Sequence, residues 1–223
     1  ADLERLGIRV RADLPVGTAF SDHPELTLSW HPAPGSDDAS ERVAFPAALH
    51  LDSGGHPDGD VEVLLTASSL GELLGFDAPS DVLPLIVGLL SPLSRGRLGL
   101  RSADPTAPPR IDYRYLTEAD DRRRLRAGVR EAMALVGTMG GRVTDLDDPD
   151  DDELDAWMLS HLGTAIHMCG TAPMGEVVDG DGRVHGIAGL RVADTSILPI
   201  VPTRGPAASA VLVGEIIARA VRG

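Results

Sequence analysis

The residues best suited to chemistry lie in the last third of the chain, where His161, His167 and Cys169 fall close together. Imidazole, with an ordinary pKa of ~6.5, takes or gives a proton near neutral pH. Imidazole and thiol also bind metals, but a closed zinc site needs four ligands, and no second cluster of clear spacing completes the set. Asp179-Gly-Asp181-Gly-Arg183 opens like a calcium loop. Its twelfth position is Leu190 where a bidentate Glu is required, so it reads as a polar turn. Asp145–Asp155 holds eight acidic residues in eleven and reads as a solvated loop leading into a helix start, where acids are favoured. A metal is therefore not expected. The single cysteine excludes an intramolecular disulfide. The chain has no Lys, Asn or Gln, which removes a lysine Schiff base, a catalytic amide and an amide oxyanion donor. G-x-G-x-x-G, P-loop, G-x-S-x-G and H-E-x-x-H motifs are absent, so a complete dinucleotide fold within this chain is not expected.

The elements that must position these residues change character along the chain. Leu26, Leu28 and Trp30 alternate with polar residues, as a half-buried strand requires. Val43–Leu51 and Val61–Ala67 read as two strands joined by the turn-rich Asp52-Ser-Gly-Gly-His-Pro-Asp-Gly59. Ile8–Val10 reads as a short strand after a helix end stopped by Gly7, and Leu83–Leu90, broken by Pro84, as an edge strand or the start of a strand. Arg97–Arg101 alternates again. This series of strands and turns predicts an antiparallel sheet. Thr117 with Asp120 resembles a capping box, and Leu125, Val129, Met133 and Val136 follow at helical spacing up to Gly140-Gly141. The arginines Arg122, Arg123, Arg124 and Arg126 on that helix are expected to pair with nearby Asp. Leu190–Ala193 reads as a short strand, and Pro206 begins a helix over Ala207–Val221. The fold class expected is mixed α/β (α+β).

The chain has 223 residues and a net charge of −14. That field repels phosphate, so neither nucleic acid nor an anionic membrane surface is an expected partner. No run approaches the about 18 apolar residues of a membrane span. No signal peptide is visible and the cysteine usage is compatible with a cytoplasmic location.

One connected string carries more than its separate residues. His167-Met-Cys-Gly-Thr-Ala-Pro-Met-Gly175 is followed by Val177-Val-Asp179, Arg183-Val-His-Gly186 and Gly189-Leu-Arg-Val-Ala-Asp-Thr-Ser-Ile197. It resembles the C-terminal signature of the glucose–methanol–choline (GMC) family of FAD-dependent oxidoreductases. Leu14-Pro-Val-Gly17 with Asp22-His-Pro24, and Ser91–Gly96 with Leu98–Pro105 and Pro109–Tyr113, resemble that family's preceding segments. The likeness covers nearly the whole chain but only the family's C-terminal half. Arg204-Gly-Pro-Ala-Ala208 and the Arg-only composition are similar to the mycofactocin-associated subgroup.

The resemblance implies FAD as cofactor, a small alcohol as substrate, and an N-terminal FAD-binding half, on the same polypeptide or a separate chain. It divides the chain into residues 1–24 entering the FAD domain, a substrate domain over 25–160, and 161–223, whose strand and helix complete a Rossmann-type FAD domain. His167 takes the family's base position. The second catalytic position, usually His or Asn, falls on Gly205. Arg204, permanently cationic, is then expected to hold developing negative charge, and His161 is a candidate second imidazole. Asp194, Thr195, Pro206, Ala207 and Ala208 match the cofactor-contacting positions, the helix start offering N–H groups to an anionic flavin edge. Two alternatives remain open: acid–base cleavage of a cyanohydrin on the same fold, or a non-catalytic partner half.

Overall fold

Alternation along β1 (Pro24–His31) places Pro24, Leu26, Leu28 and Trp30 in the interior and turns Glu25, Thr27, Ser29 and His31 outward. The computed structural model describes residues 2–35, 44–54, 57–76 and 81–222. Val43, Gly55 and His56, included in the strand and turn expectations above, lie outside the described residues. The chain divides into two compact units, one of Ala1–His23, Pro92–Thr117 and Ile166–Gly223, the other of Pro24–Ser91 and Glu118–Ala165.

In the second unit, β2 (Ala47–Leu51) and β3 (Val61–Leu65) form the expected hairpin, with Leu49 opposite Val63. β3 pairs with β4 (Leu83–Leu89), and β4 with β1, all antiparallel. Two short strands, β7 (Arg142–Val143) and β8 (Gly163–Thr164), pair with the two ends of β1. β4 is thus a central strand with Pro84 at its start, the second of the two readings above. Its Pro84 is tolerated because it precedes Leu85, where pairing with β3 begins. α3 (Ala119–Thr138) lies against this sheet and buries Leu125, Val129, Ala132 and Val136. A Cβ on Gly128 would come 2.5 Å from Val61 Cγ1, so glycine is what permits the close approach. The expected Thr117–Asp120 capping box does not form. Glu118 is the N-cap, with no side-chain cap bond, and the Thr117 hydroxyl donates to the Arg114 carbonyl instead. α4 (Asp151–His161) does carry a capping box, Asp150 with Glu153. The arginines pair with Asp as expected: Arg126 with Asp155 at 2.7 Å, and Arg124 with Asp60 at 3.1 Å and Asp121 at 2.7 Å.

In the first unit, Ile8–Val10 form no strand, and Leu190–Ala193 contribute only a single antiparallel bridge, Arg183 with Arg191. β5 (Arg97–Gly99) and β6 (Arg110–Asp112) make a separate two-stranded sheet. Residues 92–117 cluster here rather than with the large sheet because the Phe20 and Gly96 backbones exchange hydrogen bonds of 3.0 and 2.9 Å, and Leu98 N donates to Gly17 O at 2.8 Å. A Cβ on Gly96 would meet the Phe20 ring at 2.3 Å. The core of this unit is Val177, Val178, Val184, Ile197, Val213 and Ile217. The last two come from α5 (Ala207–Arg222).

Candidate active site

Three segments of the first unit are tied together by their backbones. Ser21 and Cys169 face each other in an antiparallel bridge and exchange two hydrogen bonds of 2.9 Å. Val201 N donates to Ser21 Oγ at 2.6 Å. Two residues along each segment from this bridge, the side chains of His23 and His167 meet, their two Nδ1 atoms 3.1 Å apart. The rings meet edge to face at 87°. His23 Nε2 lies 2.9 Å from the Pro202 carbonyl oxygen. Asp22 clamps both residues: its Oδ1 accepts from His23 N at 2.7 Å and from His167 N at 2.8 Å. Ile166, immediately before, has φ 60° and is 80% exposed. That conformation is strained for a β-branched residue, and such strain clusters at functional sites.

His167 Nε2 has no hydrogen-bond partner among the described residues. Gly205 lies beside it, where a Cβ would stand 3.4 Å from Cε1 and 3.6 Å from Nε2. The absent side chain keeps this edge of the ring open. Next along the chain, Pro206 is buried and Ala207 and Ala208 are exposed at the start of α5. Ala210 N donates to Pro206 O at 2.8 Å. The amides of Ala207, Ala208 and Ser209 precede that bond and have no acceptor inside the helix. They form a set of donors with partial positive charge.

The remaining predicted residues are engaged locally. Asp194 caps a 3-10 turn over Thr195–Ile197, accepting from Ser196 N at 2.9 Å, and the Thr195 hydroxyl donates to Met168 O at 3.1 Å. Arg204 Nη1 donates to the carbonyl of its neighbour Thr203. His161 is exposed on α4, its ring stacked on Trp157 at 4.4 Å and its Nδ1 2.8 Å from Trp157 O. The second imidazole beside His167 is thus His23, which the sequence reading did not select. Its signal was the Asp22-His23-Pro24 motif. Burial pushes the Cys169 thiol up to about 11, the Thr195 hydrogen bond opposing and the Asp22 and Asp194 carboxylates adding to the rise. A thiol held protonated is a poor nucleophile. Among the described residues no group of three or more His, Cys, Asp or Glu is placed to hold a metal, and no helix is long and apolar enough to cross a membrane.

A family model described as GMC oxidoreductase matches residues 92–214. An uncharacterised GMC-type oxidoreductase of Rhodococcus erythropolis is 36% identical over 206 residues, covering 90% of this chain and 40% of that protein. An oxygen-dependent choline dehydrogenase of Burkholderia multivorans is 32% identical over 263 residues, covering 99% of this chain and 45% of its own length. Among solved structures, formate oxidase of Aspergillus oryzae, studied for the effect of an arginine substitution on FAD modification, superposes with a TM-score of 0.83. It is 25% identical, with 99% of this chain and 50% of that chain covered. The chain belongs to the GMC oxidoreductase family, whose members are FAD-dependent, and corresponds to its C-terminal part. It spans about half or less of the length of the relatives it matches.

The residues present fit that cofactor. An imidazole nitrogen without a protein partner, a glycine beside it, and unaccepted amides at a helix start are groups able to accept a proton and to face negative charge. That is the donor set that proton removal and charge arrival on a flavin require.

Proposed function

We propose that the protein containing this chain oxidises an alcohol with FAD, and that His167 Nε2 is the base that removes the hydroxyl proton. The observation that carries this reading is the open Nε2 beside Gly205, next to the start of α5. FAD, when bound, supplies the two-electron acceptor for the hydrogen that leaves the alcohol carbon with its electron pair. His167 takes the remaining proton, and its neutral form suits that task near pH 7. Ala207 and Ala208 N–H groups stabilise the negative charge that results, Pro206 setting the helix start without competing as a donor. Arg204 adds a permanent cation beside Gly205, and Asp194 and Thr195 hold the 3-10 turn that supports the cofactor side of the site. The first unit then provides the flavin-side residues.

α5 supports the further reading that an N-terminal FAD-binding half covers this part. It buries Val213 and Ile217 but leaves Val211, Leu212 and Ile216 exposed, an apolar surface that asks for a partner layer. Its relatives carry more than this chain's length again.

The test is His167→Ala in the FAD-loaded protein, mixed anaerobically with a panel of alcohols that includes choline and an aryl alcohol. Flavin reduction by the best parent substrate should slow by roughly 10²–10⁴, the usual contribution of a general base, with FAD content unchanged. A variant within threefold of the parent removes His167 from the chemistry.

A further inference from the structure

We propose that His23 is a positioning residue: it fixes the tautomer of His167 so that Nε2, and not Nδ1, is free to accept the alcohol proton. This rests on the reading of His167 as base. A carbonyl oxygen only accepts, so the proton between His23 Nε2 and Pro202 O, 2.9 Å apart, belongs to His23. His23 is 1% exposed, and burial favours the neutral ring. A neutral ring protonated at Nε2 has a bare Nδ1. That atom faces His167 Nδ1 across 3.1 Å, a hydrogen-bond distance at which one nitrogen must donate. The donor is therefore His167, and its own Nε2 keeps the lone pair. The Pro202 carbonyl thus sets, through two rings, the state of the nitrogen that looks toward Gly205.

The backbone holds this relay in register. The Ser21–Cys169 bridge brings the two histidines together, and Asp22 Oδ1 binds the amides of both. Without His23, the Nδ1–H of His167 loses its acceptor. The ring is then free to carry its proton at Nε2, and that nitrogen, now a donor without a lone pair, cannot accept the alcohol proton.

The experiment is nitrogen NMR of the isotope-labelled histidines, with and without FAD, joined to two substitutions in the FAD-loaded protein. Above the titration of both rings, His167 should show a protonated Nδ1 and a bare Nε2, and His23 the reverse. His23→Leu should shift His167 toward the Nε2–H form. It should slow alcohol-driven flavin reduction by about 10- to 100-fold, the scale seen when an orienting partner of a functional histidine is removed, with KM little changed. His23→Gln should restore most of the rate, because its amide N–H₂ donates to Pro202 O and its carbonyl accepts from His167. A neutral His167 protonated at Nε2 in the parent protein overturns the proposal, whatever His23→Leu does to folding. Equal rates in the Leu and Gln variants, both retaining FAD, also overturn it. If instead His167→Ala leaves the rate intact while the parent spectrum shows the Nδ1–H form, the base reading fails and the tautomer assignment stands.

Discussion

Gly205→Ala adds one methyl group next to the open edge of His167. The new Cβ would meet Cε1 at 3.4 Å and Nε2 at 3.6 Å, both ordinary contact distances. Gly205 is not among the positive-φ glycines, so the backbone admits an L-residue without strain. Removing glycine's freedom from the unfolded chain should then stabilise the fold by about 0.4–1 kcal/mol, a rise in Tm of about 1–4 °C for a chain of this size. The chemistry moves the other way. An alcohol oxygen must come within about 2.6–3.2 Å of Nε2 to give up its proton, and the methyl takes part of that approach. A displacement of about 1 Å costs on the order of 10²-fold in rate, so flavin reduction should slow by about 10- to 100-fold. Thermal melts and anaerobic stopped-flow on the same preparation read both effects. An unchanged rate in Gly205→Ala would show that this edge of His167 is not where substrate binds. A lowered Tm would refute the strain-free backbone.

The other predictions concern groups around the site and the sheet that supports the second unit. Arg124, 2% exposed, pairs with the fully buried Asp60 and Asp121 and donates to the Ser91 carbonyl at 3.0 Å. Arg124→Ala leaves two buried carboxylates without their cation and should destabilise by about 3–5 kcal/mol in denaturant titration. A loss under 1 kcal/mol would show that the network is dispensable. Asp60 is held below its ordinary value: burial works to raise it but is outweighed by the Ser53 amide and hydroxyl and by Arg124. A depressed folded pKa contributes stability that is complete above the unfolded value of ~3.9 and lost as pH falls through the folded one. Ser53→Ala, which removes the 2.7 Å hydroxyl bond, should therefore cost most stability at neutral pH, where the Asp60 contribution is complete, cost least below the folded pKa, and move acid unfolding to higher pH. An unmoved acid limb counts against the assignment. With its pKa raised to about 11, native Cys169 should react with a thiol reagent at pH 8 at least ~100-fold more slowly than the unfolded chain, from its thiolate fraction alone. A rate like that of free cysteine would show an accessible thiol.

Where a single local rule decides an element, the sequence was sufficient. Alternation found β1, turn chemistry found the β2–β3 hairpin, helical spacing found α3, and Pro206 marked the start of α5. The open and mistaken readings fall where a nonlocal partner decides. Pro84 leaves an edge strand and a strand start equally open, and the pairing with β3, which begins one residue later, decides for the start. Thr117 has the chemistry of a cap, but the helix begins after Glu118 and the Thr117 hydroxyl turns to Arg114 O. Leu190–Ala193 is apolar enough for a strand but finds only a one-residue partner in Arg183.

The site follows the same logic at smaller scale. His167 stands in the connected string over 167–197, and the α5 start follows nine residues beyond its end at Pro206, whereas His23 is separated from His167 by 144 positions. His161, only six positions away, was the nearer candidate in sequence but is turned to Trp157 by its own helix. What brings the distant histidine in is one two-residue bridge, Ser21 with Cys169, and the register of an antiparallel pair has period two. A slip of one residue would turn His23 to the opposite face. Asp22 guards against that slip, because a single carboxylate oxygen accepting the amides of residues 23 and 167 is satisfied only in this register. A buried carboxylate deprived of those donors would carry a desolvation cost of about 1–3 kcal/mol or more. The aspartate therefore helps to specify which histidine faces His167, and the proposed base acquires its open nitrogen from a pairing that neither motif reveals alone.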